Sequence, residues 1–321
     1  MYLWSWRGPN GGDLLNAASV VMYNSVSCSM YISQLPSASM QEPAMRLRRS
    51  PLVHVLAQVA FPPAPEWTER QSAVQKALYD MGFQRFREAE LNHLTLDIGD
   101  GGQSPTLGQR AIAYREYADR DGRFAFQSTA EALLLHTTGY QDFGHFIRLL
   151  EQGLQAVGAA MGVQLVNRIG LRYVDLVQSR DGEQLSAFVK PGLLGFPFRD
   201  APELGVTRAA VSSQSIGVTT LGALAIRSMT LPPGQFLPPD LDIAGLRAPE
   251  NADPSQPGLV LDFDHYSIFA GANASAPPLD FDVKLVIAHV ASLHADLKTA
   301  FLASVTDHAI QQWGGWEPVP Q

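Results

Sequence analysis

Apolar and polar positions along the chain change period several times. Residues 51–61, PLVHVLAQVAF, alternate apolar with mixed residues and predict a strand that ends at the PPAP of residues 62–65. Residues 66–82 switch to helical spacing, with Val74, Leu78 and Met81 on one side and Gly82 suited to the C-cap. LNHLTLDIG (91–99) alternates again and predicts a strand, and the Gly-rich residues after it predict a loop. Residues 110–119 and 123–140 predict a hairpin around the Asp121-Gly122 turn. From 141 to 162 the helical period returns. Phe146, Leu149, Leu150, Leu154 and Val157 form one stripe, and Asp142 suits the N-cap.

The same order then recurs. NRIGLRYVDLV (167–177) predicts a strand, and 182–195 a short helix broken by Pro191. Residues 206–216, 218–231 and 258–269 predict three strands, and 279–315 the longest helical stretch. Between the last two strands, residues 232–257 are rich in Pro and polar residues and predict a long loop, uncommon unless functional or mobile. The expected fold is therefore α+β. It consists of two similar halves of order β-α-β-β-β-α, residues 45–162 and 163–321, with antiparallel sheets covered by helices and a long C-terminal helix. The halves join near Gly162 almost without a linker, which favours one continuous body. Residues 1–44 differ from the rest: they hold three charged residues and no sustained periodicity. The expectation is a loosely packed arm, or a stretch upstream of a start at Met45.

Composition narrows the function classes. The net charge of −8 opposes a broad nucleic-acid-binding surface but leaves room for a local basic patch. No apolar run of roughly 18–20 residues stands out, so no membrane partner is expected. The one cysteine, Cys28, excludes an intrachain disulfide and a Cys-based zinc site, and a reducing cytoplasm is the simplest setting.

Chemistry concentrates on the strand 167–177. Period two puts Asn167, Ile169, Leu171 and Tyr173 on one face, and Arg168, Gly170 and Arg172 on the other. Two spaced arginines with a glycine between them can hold an anionic ligand, a small molecule or a nucleic-acid backbone. Equally, they can pair with carboxylates on neighbouring strands. Asp262 and Asp264 share one face of the strand 258–269. They can hold a divalent cation through waters, or serve as those carboxylate partners. The candidate ligand-binding residues are thus Arg168, Gly170, Arg172, Asp262 and Asp264. No catalytic residue, metal site or cofactor is assigned. His289 and His294 lie five apart on a helix, about 140° around it, and His136, His145 and His265 are scattered. There is no G-x-S-x-G elbow, phosphate loop or dinucleotide fingerprint. Tyr140, Phe143 and Phe146 fit a hydrophobic staple better than a base-stacking platform.

SPLVHVLAQVAF, RIGLRYVDLV, LVLDFDHY and FLASVTDHAIQQWG occur in that order, and this pattern resembles a bacterial family of sporadically distributed proteins of unknown function. Arg168, Gly170, Leu171, Arg172 and Tyr173 match the family's central Arg-Ile-Gly-Leu-Arg-Tyr strand. Phe301, Ser304, Thr306 and Asp307 match its terminal helix. Asp175 stands where members often have Asn, and many have Trp near Phe143. The resemblance covers residues 50–314 and brings no catalytic residues. It implies mobile genes of the kind found in phage-defence or toxin–antitoxin loci. The expected function is a non-enzymatic binding or regulatory protein for an anionic small molecule or nucleic acid. The alternatives are an interaction protein for a neighbour-encoded partner and a metal-dependent, nuclease-like enzyme. Nothing in the sequence sets an oligomeric state.

Overall fold

The computed structural model describes residues 2–5, 45–64, 66–97, 106–179, 183–198, 203, 205, 210–243, 245–269 and 279–318. The first part of the chain forms β1 (Tyr2–Ser5), β2 (Met45–Leu47), β3 (Leu52–Ala60), α1 (Trp67–Asp80), β4 (Arg85–Asp97) and β5 (Thr106–Ala118). There follow β6 (Phe124–Ser128), β7 (Ala132–Thr137), α2 (Phe143–Met161), β8 (Leu165–Val166) and β9 (Arg168–Val177). The remainder gives β10 (Ser212–Val218), β11 (Ala223–Leu231), β12 (Gly258–Ile268), β13 (Leu279–Asp280), α3 (Val283–Ser304), α4 (Asp307–Gln312) and β14 (Trp316–Pro318).

The architecture is mixed α+β. Among the described residues one antiparallel sheet of ten strands runs in the order β1-β4-β5-β6-β7-β3-β9-β12-β11-β10. The expected antiparallel sheets are thus joined into one, through pairing of β3 with β9 that sets Val55 opposite Tyr173 and Ala57 opposite Leu171. Because β3 and β9 are central and covered on both faces, nine of the ten β9 residues are buried. Such a strand cannot display a solvated arginine face.

The element order departs from expectation in several places, the short strands β1, β2, β8, β13 and β14 among them. Residues 123–140 hold two strands, β6 and β7, because the chain turns at Thr129–Ala132. The short helix expected before β10 is a pair of 3₁₀ turns, Leu185–Ala187 and Pro191–Leu193. Pro191 starts the second turn and cannot continue the first. The long C-terminal helical stretch splits at Val305, where Thr306 takes an extended conformation and caps α4 through its side chain. Elsewhere the cues hold: the Asp142 side chain accepts a hydrogen bond from the His145 N–H, and Gly162 ends α2 in a left-handed conformation. Of residues 1–44, Tyr2–Ser5 pair with β4, and the rest lie outside the described residues, as do Gly99–Gly102.

The two faces of the sheet are covered differently. On one, the helix face, α3 packs over β9 and β12, and α2 packs over β7 and against α1 and α3. Their buried stripes, Phe146, Leu150, Leu154 and Val157 with Val286, Val290, Leu293 and Leu297, meet Ile169, Leu171, Leu261 and Phe263. The opposite, loop face is covered by residues 232–257. Phe236, Leu237 and Leu241 pack on Val174, Leu176 and Val260. Asn251 bonds the carbonyls of Ser50 and Leu52, Gly245 donates to Glu116, and Gln178 holds Asp253. The long loop is a strapped cover. By length and composition α3 could also cross a bilayer. No such run was expected, because its polar residues (Lys284, His289, His294, Asp296, Lys298) interrupt the apolar ones without lowering the mean hydropathy enough.

Candidate functional site

The five residues singled out by sequence fall into two groups, both on the loop face. Arg172 stands opposite Asp264 in the β9–β12 register but reaches diagonally to Asp262. It holds Asp262 bidentately, Nε–Oδ1 2.7 Å and Nη2–Oδ2 2.8 Å. With the rest of its fork it holds Asp240 of the covering loop, at 2.7 and 3.1 Å. Arg227 of β11 adds a third arm, 2.9 Å from Asp262 and 3.8 Å from Asp264. Asp262 is wholly buried and Arg172 nearly so. Burial alone would lower the Arg172 pKa, but Asp262 and Asp240 outweigh it and hold the group well above its ordinary value. This is a closed ion cluster whose charges already satisfy one another. Arg227 and Asp240 are the members that sequence did not single out, since no local pattern marks a loop aspartate as the partner of a strand arginine.

Arg168 and Gly170 form the second group. The Arg168 guanidinium lies 4.5 Å from the Tyr266 ring centroid and donates to the Gln58 side chain. It occupies the space above Gly170, where an added Cβ would stand 3.0 Å from Arg168 Nη1. The missing side chain makes room for a residue of the same strand. A related buried chain runs nearby from His54 to His136 (3.4 Å) and on to Glu116 (3.4 Å). Burial would raise the Glu116 pKa, but bonds from His136, Gln127 and the Gly245 N–H hold it below the ordinary carboxyl range.

A cleft of about 1650 Å³ opens between the helix side of the sheet and the covering loop. Its walls come from the segment after β2, the start of α2, the end of β9, the middle of α3, residues 247–256 of the covering loop, and Trp316. On α3, His294, Leu297, Lys298 and Phe301 fall at i, i+3, i+4 and i+7 and so share one side. The lining carries seven Arg and Lys against five Asp and Glu, although the whole chain has 23 against 31. Arg46 and Arg48 share Glu317, and Arg123 pairs with Glu250. Among the described residues Arg148, Arg247 and Lys298 have no ion-pair partner. All three are exposed, and Lys298 lies 6.0 Å from the Trp316 ring centroid.

The cleft floor is aromatic and polar at once. Phe143 stacks on His294 with ring centroids 3.9 Å apart, and the Tyr173 hydroxyl shares a 2.8 Å hydrogen bond with His294 Nδ1. Burial, with Lys298 adding to it, lowers the His294 pKa to about 4, so the ring is neutral near pH 7. Asp175, two residues beyond Tyr173 on the same face of β9, is only 4% exposed. No side chain or backbone N–H among the described residues bonds its carboxyl, and burial raises its pKa to about 8. Sequence reasoning assigned Tyr140 and Phe143 to a staple, noted Asp175 only as a departure from the family pattern, and passed over Arg148, Arg247 and Lys298. The α3 spacing was the available signal. The rest converge from segments far apart in the chain. Among the described residues no group of three or more His, Cys, Asp and Glu could hold a metal ion. No protein-family model matches the chain, and no curated protein matches it.

Proposed function

We propose that the chain is a non-enzymatic, cytoplasmic binding protein that takes an anionic ligand in this cleft, not at the strand arginines. The observation that carries this reading is the local reversal of charge. An acidic chain gathers a basic surplus around one cleft and leaves Arg148, Arg247 and Lys298 unpaired there. Arginine and lysine beside a concave, partly apolar surface favour phosphate and carboxylate groups. Isothermal titration with sodium tripolyphosphate tests it. Binding is expected, and Arg148→Ala with Arg247→Ala weakens it at least tenfold; absence of binding, or an unchanged affinity in the double variant, contradicts the reading.

The description as two similar halves is supported by the strand order, which runs outward from the β3–β9 pair on both sides and ends each half with a helix on one face. Membership of the sporadically distributed bacterial family, with a role in a mobile defence or toxin–antitoxin locus, rests on the sequence resemblance. The interaction-protein alternative is favoured by β10. This edge strand exposes Ile216 and Val218 and carries no charged residue to block pairing with another chain. A stable complex with a neighbour-encoded protein, lost on Ile216→Lys, would favour it over ligand binding. The metal-dependent reading is disfavoured electrostatically, because a cation at Asp262 and Asp264 would sit against the Arg227 guanidinium.

A further inference from the structure

The Asp175 carboxyl lines the cleft with no hydrogen-bond partner among the described residues. Buried polar groups almost always have partners, and a buried carboxyl without one is costly to keep. The loop-face carboxylates obey that rule: Asp262 has two arginines, and Glu116 has Gln127 and a backbone N–H. Asp175 is 4% exposed and has no such partner, and it borders open space instead of packed side chains. Its titratable neighbours along the floor are Tyr173, Tyr140 and His294. Tyr173 and Tyr140 are held above the ordinary phenol range by burial, while burial keeps His294 neutral. None of them supplies a cation.

We propose that the cleft takes a nucleotide, with the N–H edge of its base at Asp175, its ring against the Tyr140–Phe143 aromatic wall, and its phosphates at Arg148, Arg247 and Lys298. This deepens the anion-binding reading and rests on it. The three features are complementary to the three parts of such a molecule. A carboxyl in either protonation state accepts from a base N–H, and once ionised it repels a bare phosphate or carboxylate ligand. Every base has a π face for an aromatic wall to stack on, at about 1–3 kcal/mol per base. The rim cations suit phosphate. The volume exceeds that of a typical small-molecule pocket, about 300–1,000 Å³, so the nucleotide can be free or one unit of a short oligonucleotide.

The test is isothermal titration of the full chain with GTP, ATP, a purine-rich RNA tetramer and sodium tripolyphosphate, in the wild type and in Asp175→Ala. A melting curve on each protein establishes that it is folded. The expected result is that at least one nucleotide or the tetramer binds ten times more tightly than tripolyphosphate, and that Asp175→Ala removes this advantage. Tighter binding by the tetramer than by GTP or ATP identifies a strand as the source, and the reverse order a free nucleotide. If tripolyphosphate matches every nucleotide, or the advantage survives in Asp175→Ala, the inference is overturned while anion binding stands. If nothing binds, both fail. Should Asp175→Ala not fold, Asp175→Leu provides the same comparison with the carboxyl replaced by an apolar group.

Discussion

The buried ion cluster and the cleft use the same residue types to opposite ends. On the loop face Arg172 and Arg227 are spent on Asp262, Asp264 and Asp240, under a cover of loop. Around the cleft Arg148, Arg247 and Lys298 stand beside open space, and the buried carboxyl of the lining, Asp175, is paired with none of them. Charge inside a fold is tolerated when it is mutually satisfied. Charge left unsatisfied beside a cavity has a ligand as its natural complement. Residue identity alone does not separate these cases; what each guanidinium touches does.

Substitutions should divide along the same line, and the largest effect is expected at Arg172. Arg172→Ala strips Asp262 of its bidentate partner, so urea denaturation should show a loss of about 3–5 kcal/mol. A loss below about 1 kcal/mol would mean that Arg227 alone satisfies Asp262.

Next comes Asp175, where the sign is opposite. Its carboxyl titrates near about 8 in the fold and about 3.9 in an unfolded chain. The folded state therefore keeps a proton that the unfolded chain releases over that interval. The stability from this group is full below the unfolded value and is lost as pH rises through the folded one. Asp175→Asn should match the wild type at low pH and exceed it above pH ~8 by on the order of a few kcal/mol. Parallel stability–pH curves for the two proteins would show the carboxyl to be solvated.

Smaller still is Arg168→Ala. It loses a cation–π contact and a bond to Gln58, for about 1 kcal/mol by thermal melting. Gly170→Ala should cost a comparable amount by displacing the same guanidinium. The smallest change in stability, within about 0.5 kcal/mol, is expected for Arg148→Ala and Arg247→Ala. In those variants only the affinity for anions should fall. That affinity should also weaken as salt rises from ~0.05 to ~0.5 M, since the rim is exposed and screened.

How much of this was legible in the sequence depends on how local the signal is. Strand β9 and its two faces follow from period two, and α2 with its Asp142 cap from helical spacing and a short side chain. The mutual reach of Arg172 and Asp262 was one of two readings that the pattern allowed. What period could not reveal is the other half of each contact. Asp240 comes from a loop with no period, and which strand neighbours β9 is set by the whole sheet. The cleft is harder again, because Arg148, Asp175, Arg247 and Lys298 share no segment and meet only when α2, β9, the loop and α3 are packed. The split of 279–315 into α3 and α4 was missed because apolar spacing continues across Val305, while Thr306 stops the helix by capping.

The most direct test of the central contrast is one paired measurement: urea stability and tripolyphosphate affinity, determined together for Arg172→Ala and for the Arg148→Ala, Arg247→Ala double variant. The account predicts that the first loses several kcal/mol of stability and, where still folded, keeps its affinity. The second should keep its stability and lose at least tenfold in affinity. Affinity lost in the first and retained in the second would put the anion at the strand arginines and contradict the account.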